Sequence, residues 1–342
     1  MNIFLNLKRA FIIAEAGVNH NGSILEAEKL IKCAKEANVD AIKFQIFRAD
    51  EQISKFTKLA PYQKKNNNQK DMLGMAKNYE LTYADHKKIK KICDKYSINY
   101  MASCFDISSA KFLKKDLKIN YIKIGSGEIT NYKLLEFISK NFKTVILSTG
   151  MSKIHEIKEA IKILKNYSKK INLIIMHCVS LYPTNEADLN LKFINTLKKL
   201  NNVVGFSDHT IGFEASKAAV AMGAQFIEKH FTLSKLSKGP DHKISLNKNE
   251  LKKFVKNIRQ IENLLGVDKK IITKKESSMK NFARRSIVAV KPIKINEIFT
   301  NNNIGLKRPG DGIQPKYLDK ILGKKAKLEF KQDELIKWNK IT

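Results

Sequence analysis

The chain of 342 residues lacks any run of about 18 apolar residues, the length a membrane-spanning helix needs. A membrane span is therefore not expected. A signal peptide is not expected either. In the opening "MNIFLNLKRAFIIAEAG" the basic pair follows the first apolar residues, and the second apolar run carries Glu15 without a small-residue cleavage site. Cysteine is sparse: Cys33, Cys93, Cys104 and Cys178 are widely spaced and form no CxxC pair. That excludes a zinc ribbon or a disulfide framework and suits a reducing, cytoplasmic setting. Acidic residues are outnumbered, 33 against 64 basic ones, for a net charge of +31. Such an excess points toward nucleic acid or an anionic substrate. Arginine, however, is scarce, and the lysines are spread along helix-like segments such as "HKKIKKICDKY". Arginine is the better fork for phosphates and base edges, so these lysines read as solvated helix faces rather than a nucleic-acid surface.

What is present is a repeating texture. Apolar residues make up 43% of the chain, enough for a sizeable core. Strand-like runs fall at 11–17, 40–46, 98–103, 119–126, 143–149, 171–177, 202–207 and 224–230. Between them lie segments with apolar residues three and four apart, for example "SILEAEKLIKCAKEA". Eight β-like runs, each followed by a helix-like one, predict parallel strands with crossover helices, and the count favours an α/β fold of the closed (β/α)8 TIM-barrel type. The link over residues 47–80, with "APYQKKNNNQK", is long enough for a lid, a binding loop or a disordered segment. The barrel is expected over 1–268 and a polar linker over 269–284. A small domain of short alternating runs, rich in Gly and Pro, is expected over 285–342. So small a domain has little core of its own and should dock against something larger.

Barrel chemistry gathers where the strands end, because the following loops converge there. Glu15 ends the first run, Lys43 and Gln45 lie on the second, and Ser103 ends the third. "KIGSGE" brings Lys123, Ser126 and Glu128, "STG" brings Ser148, and "HCVSLYP" brings Ser180 and Tyr182. The last two runs carry Ser207, Asp208 and His209, then Glu228 and His230. Lysines, hydroxyls and the backbone N–H groups of "GSG" and "STG" could surround a phosphate. Two histidines from neighbouring strands could share a divalent metal, and the glutamates could serve acid–base steps. Each group alone has an ordinary explanation: an inward lysine paired with a carboxylate, a tight turn, a hydrogen-bonded structural histidine. Together, at one barrel end, they predict an active site.

The strings "IIAEAGVNHNGS", "AIKFQ", "APYQ", "KIGSGEITN", "ILSTGM", "HCVSLYPT", "GFSDHT", "IEKHFT", "GPDH" and "KRPGDGI", taken together, resemble the bacterial sialic acid (nonulosonic acid) synthase family. The resemblance covers about residues 11–338. It implies a barrel followed by an antifreeze-like SAF (β-clip) domain. It also implies an enzyme that condenses phosphoenolpyruvate with an open-chain N-acyl-mannosamine-type sugar and releases phosphate. By that resemblance His209 and His230 are ligands of Mn2+ or Mg2+, which would polarise the aldehyde. Lys43, Ser103, Lys123, Ser126, Ser148 and Ser207 surround phosphoenolpyruvate. Gln45, Glu128, Ser180, Tyr182, Glu228, Asp241, Phe282 and Arg308 line the sugar. Glu15, Glu128, His209, His230 and Arg308 serve catalysis. Arg308 of "KRPGDG" implies a domain-swapped homodimer, in which the small domain enters the partner's barrel. Two departures stand out: "ASCFD" replaces the usual "STPF", so Ser103 stands for Thr and Cys104 for Pro, and Ser180 stands where some members have Asn. N-acetylneuraminate is the expected product, with N,N'-diacetyllegionaminate, made from 2,4-diacetamido-2,4,6-trideoxymannose, as the alternative. A nucleic-acid-binding protein and a non-catalytic antifreeze-like protein are the readings from other classes.

Overall fold

The computed structural model describes residues 4, 7–59, 71–167 and 171–342. The "APYQ" string at 60–63 lies outside the described residues. Two compact units are present, Met1–Gly266 and Val267–Thr342.

The first unit is a closed barrel of eight parallel strands in sequence order. They are β1 (Phe11–Gly17), β2 (Ala41–Ile46), β3 (Asn99–Cys104), β4 (Tyr121–Ile124), β5 (Thr144–Ser148), β6 (Asn172–Cys178), β7 (Val204–Asp208) and β8 (Phe226–His230). Each coincides with an expected run to within a few residues. The fourth is shorter than expected, because Ser126–Glu128 of "GSGE" leaves the sheet as a 3-10 turn.

Alternation along the strands explains how the barrel interior is built. Side chains two residues apart share a face. Phe11, Ile13, Ala41, Met101, Ile146, Ile174, Met176 and Phe226 form one buried apolar cluster with Phe4. Two residues beyond its upper members come Glu15, Lys43, Ser103, Ser148, Cys178 and Glu228. One face of each strand thus passes from an apolar plug to a polar mouth within a single step. The opposite face, with Ile12, Ile42, Phe44 and Phe206, joins the large cluster under the helices. Gly205 is required by this packing, since a Cβ there would stand 2.8 Å from the Phe226 Cβ and 2.7 Å from its carbonyl oxygen.

Helices cover the wall. Thr82 and Asp85 close a reciprocal capping box on helix Tyr83–Lys95, and Asn247 and Glu250 do the same for Lys248–Leu265. Among the described residues, the long link after β2 carries two short helices, Ala49–Gln52 and Met72–Tyr79. Among the described residues no helix is long and apolar enough to cross a membrane.

In the second unit, part of the expected linker is helical, Lys274–Ala283. Its β structure is sparser than the sequence texture predicted: one antiparallel pair, β9 (Ser286–Ala289) with β10 (Ile304–Lys307), and isolated bridges such as Val288–Leu335 and Ile293–Phe330. Turn residues break the chain before longer ladders can form. Ile287, Phe299, Phe330 and Ile336 make its core.

Candidate active site

Strand register sets the site. Glu15 on β1 is level with Lys43 on β2 and with His230 on β8. Ser103 on β3 is level with Gln45 and with Lys123 on β4. Ser207 on β7 lies between Cys178 on β6 and Glu228 on β8. These residues border one cavity of about 510 Å³ at the C-terminal end of the barrel, together with Ser126, Ser148, Ser180, Tyr182, His209 and Asp241. That volume suits a small-molecule site.

At its floor two lysines and two glutamates form a buried cluster. Lys43 Nζ lies 2.8 Å from Glu15 Oε2 and 3.6 Å from Glu228 Oε2, and donates to Ser103 Oγ at 2.7 Å. Lys123 Nζ lies 3.3 Å from Glu228 Oε1, which also accepts from Ser207 Oγ at 3.0 Å. The two carboxyls are pushed apart. Burial raises Glu15, reinforced by the neighbouring Glu228 charge and only partly offset by Lys43. Burial also opposes ionisation of Glu228, yet Lys123, Lys43 and the Ser207 hydrogen bond outweigh it and hold this carboxylate down. The two carboxyls are thus shifted in opposite directions, the pattern that divides acid and base roles between like groups. Burial likewise works against the Lys43 ammonium, but Glu15 and Glu228 more than restore it. Ser148 Oγ is buried without a hydrogen-bond partner. Unpaired buried hydroxyls are costly, so this one marks a place where an acceptor fits. Gly150 N donates to Ser126 Oγ at 2.9 Å, holding the "STG" turn against the "GSG" turn.

The second half of the cavity holds the two imidazoles. The rings of His209 and His230 lie 5.6 Å apart, centroid to centroid, and Tyr182 lies against both, at 4.1 and 6.0 Å. His209 Nδ1 is 2.7 Å from the Val179 carbonyl oxygen, which fixes the proton there and leaves the other nitrogen as an acceptor. His230 Nδ1 is buried, has no hydrogen-bond partner, and lies 3.8 Å from Asp241 Oδ2. Burial and the neighbouring His209 hold His230 well below the usual histidine range, so it is a neutral imidazole with one nitrogen lone pair free to ligate. Burial raises Asp241 to about 6. Among the described residues no group of three or more His, Cys, Asp or Glu is gathered as a protein-only metal cage. Two imidazole nitrogens beside one carboxyl nevertheless fit a divalent ion that keeps several positions for water and substrate.

Of the residues singled out in the sequence, Glu15, Lys43, Gln45, Ser103, Lys123, Ser126, Ser148, Ser180, Tyr182, Ser207, His209, Glu228, His230 and Asp241 share this cavity. Glu128 does not line it; it is half-buried and accepts from Asn131 Nδ2 at 2.8 Å. Phe282 and Arg308 belong to the second unit, where Phe282 is exposed and Arg308 Nε donates to the Ala283 carbonyl at 3.0 Å. Sequence reading missed two features. Cys178 Sγ reaches 3.8 Å from His209 Nδ1. Val18, Phe47, Ile53, Met72, Met75 and Tyr79 form an apolar wall on one side of the same cavity. Met72 and Met75, three apart on a helix, carried the signal for that wall.

Residues 30–270 match the NeuB family and residues 284–342 the SAF domain. The chain is 44% identical to N,N'-diacetyllegionaminic acid synthase of Campylobacter jejuni, over 97% of this chain and 100% of that protein. It is 38% identical to N,N'-diacetyllegionaminic acid synthase of Legionella pneumophila, over 97% of this chain and 94% of that one. Among solved structures, an N-acetylneuraminic acid synthetase from Leptospira borgpetersenii superposes with a TM-score of 0.71 at 35% identity, covering 79% of this chain and 90% of that one.

Proposed function

Because the chain belongs to the NeuB family, with a C-terminal SAF domain, we propose that it condenses phosphoenolpyruvate with an open-chain N-acyl-mannosamine-type sugar and releases phosphate. The observation that carries this reading is one cavity with two chemistries side by side. Lys43, Lys123 and the unpartnered Ser148 hydroxyl suit an anionic ester, and the His209–His230 pair suits a metal and a carbonyl. The sugar is 2,4-diacetamido-2,4,6-trideoxymannose and the product N,N'-diacetyllegionaminate; two relatives bearing that name, at 44% and 38% identity, support this over the neuraminate expected first. N-acetylneuraminate remains the second reading, favoured by the Leptospira synthetase at 35% identity.

In the reaction C3 of phosphoenolpyruvate forms a bond to the sugar's aldehyde carbon. Water adds at C2, and phosphate leaves with cleavage of its C–O bond. His209 and His230 would hold the divalent ion, Mn2+ or Mg2+, which supplies Lewis acidity toward a carbonyl oxygen. Lys43 and Lys123 hold the ester's charges in a fixed, water-poor pocket, where preorganised electrostatics act most strongly. Glu15, the carboxyl that burial raises, is the group placed to pass a proton to the aldehyde oxygen as it becomes a hydroxyl. Glu228, held down, favours the charged form of both lysines as the phosphate departs, offsetting the burial that lowers Lys123. Ser103 and Ser126 donate to the ester, while Ser207 keeps its hydroxyl proton on Glu228 Oε1. Gln45, Ser180, Tyr182 and Asp241 orient the sugar hydroxyls and acyl group.

Arg308 and Phe282 complete this reading through a domain-swapped homodimer, in which the SAF unit of one chain reaches the barrel of the other; family resemblance supports that arrangement. A reducing cytoplasm accords with four cysteines that are free and buried. Incubating the purified protein with phosphoenolpyruvate, Mn2+ and each sugar in turn, with phosphate release and product mass as readouts, tests the proposal. No phosphate from either sugar would refute it.

A further inference from the structure

The active cavity has one side that the condensation chemistry does not use. Val18 and Phe47 come just past the ends of β1 and β2, beyond Glu15 and Lys43 of the polar floor, and line the same cavity. Met72, Met75 and Tyr79 descend on them from helix Met72–Tyr79, and Ile53 closes the gap beyond helix Ala49–Gln52. Val18, Phe47 and Ile53 pack as a buried apolar cluster with Ala49 and Ala76, separate from the barrel core, with Met72 and Tyr79 against it. Among the described lining residues of this side, Gln52 and the Tyr79 phenol supply the polar atoms. Asp241, 3.8 Å from His230 Nδ1, lines the same cavity, so the wall and the imidazoles share it.

We infer that this wall is the specificity surface for the far end of the sugar, and that it selects a deoxygenated, N-acylated tail over a hydroxylated one. The inference rests on the proposed function. The aldehyde carbon must lie between the lysines and the imidazoles, so C4 to C6 extend away from them. Toward the wall, a C6 methyl and the methyl of a C4 acetamido group meet Phe47, Met72 and Met75. Each methyl taken from water favours binding, and methionine adapts to irregular apolar shapes. The acetamido N–H and C=O have Gln52 and Tyr79 within the same side. A sugar with hydroxyls at C4 and C6 would instead desolvate two polar groups against side chains that offer them few partners.

The test compares kcat/KM for 2,4-diacetamido-2,4,6-trideoxymannose and N-acetylmannosamine in the full-length enzyme, Met75→Gln and Met72→Gln. Wild type should favour the trideoxy sugar by about tenfold to a hundredfold, the range an apolar pocket achieves against a hydroxyl. Met75→Gln should raise KM for the trideoxy sugar about tenfold, leave KM for phosphoenolpyruvate unchanged, and narrow the preference. Met72 is half-buried and tolerates the change more readily, so Met72→Gln should show the same pattern should Met75→Gln fold poorly. Equal losses on both sugars, or none in either variant, overturn the wall while leaving the condensation in place. Absence of phosphate release from wild type with both sugars overturns the condensation itself.

Discussion

Lys229 Nζ lies 3.1 Å from Asp208 Oδ1, and both side chains are buried, at 1% and 0% exposure. The pair faces outward from the barrel and ties the end of β7 to the end of β8, one residue short of His209 and His230. Asp208 also accepts from Thr210 N, Thr210 Oγ1 and Ser216 Oγ, and Lys229 donates to the Thr210 carbonyl at 2.6 Å. The two imidazoles therefore stand on a satisfied ionic network beneath the site.

Breaking that network from one side leaves a buried charge unpaired. Lys229→Met and Asp208→Leu should each lower stability by about 3–5 kcal/mol, whereas the double replacement should cost less than the sum. Urea unfolding of the three variants checks this. Additive losses would show that the two side chains do not act as a pair.

His209 and His230 are assigned to the metal on geometry and on the open lone pair of His230. His230→Asn should weaken Mn2+ binding by at least about tenfold, read by electron spin resonance of free Mn2+ without any turnover. Chelation of wild type should abolish phosphate release, and added Mn2+ should restore it.

Ser148 Oγ has no partner in the protein, so its removal costs the fold little. Ser148→Ala should keep its melting temperature, yet raise KM for phosphoenolpyruvate by about ten- to a hundredfold, the loss of one hydrogen bond to a charged acceptor. An unchanged KM would place the ester elsewhere.

His86 is one buried histidine that makes stability depend on pH. Its ring is buried behind β3, with Nδ1 2.9 Å from the Tyr100 hydroxyl, and burial pushes it from 6.5 down to about 3. Below pH 6.5 the unfolded chain binds a proton that the folded chain excludes. The contribution is thus whole above that pH and is lost as pH falls toward about 3. Between pH 7 and pH 4 the loss is about 3 kcal/mol. His86→Gln, which can still hydrogen-bond Tyr100, should unfold over this range with a shallower pH slope.

Much of this protein was legible in its sequence, for physical reasons visible in particular residues. Strands flanked by helices announce themselves by periodicity, and inward positions follow from alternation: Ile13 then Glu15, Met101 then Ser103, Phe226 then Glu228. A residue type at a strand end therefore fixed where a charge would point. Glu128 broke the pattern because a 3-10 turn at Ser126–Glu128 took it out of strand alternation, which no spacing rule anticipates. The wall of Phe47, Met72 and Met75 showed in the sequence only as the three-residue spacing of its methionines: it joins a strand end to a helix some 25 residues on, and only packing brings them together. The opposite pKa shifts of Glu15 and Glu228 were likewise decided in three dimensions. Two identical carboxyls differ only in how many ammoniums and hydroxyls the closed barrel turns toward each.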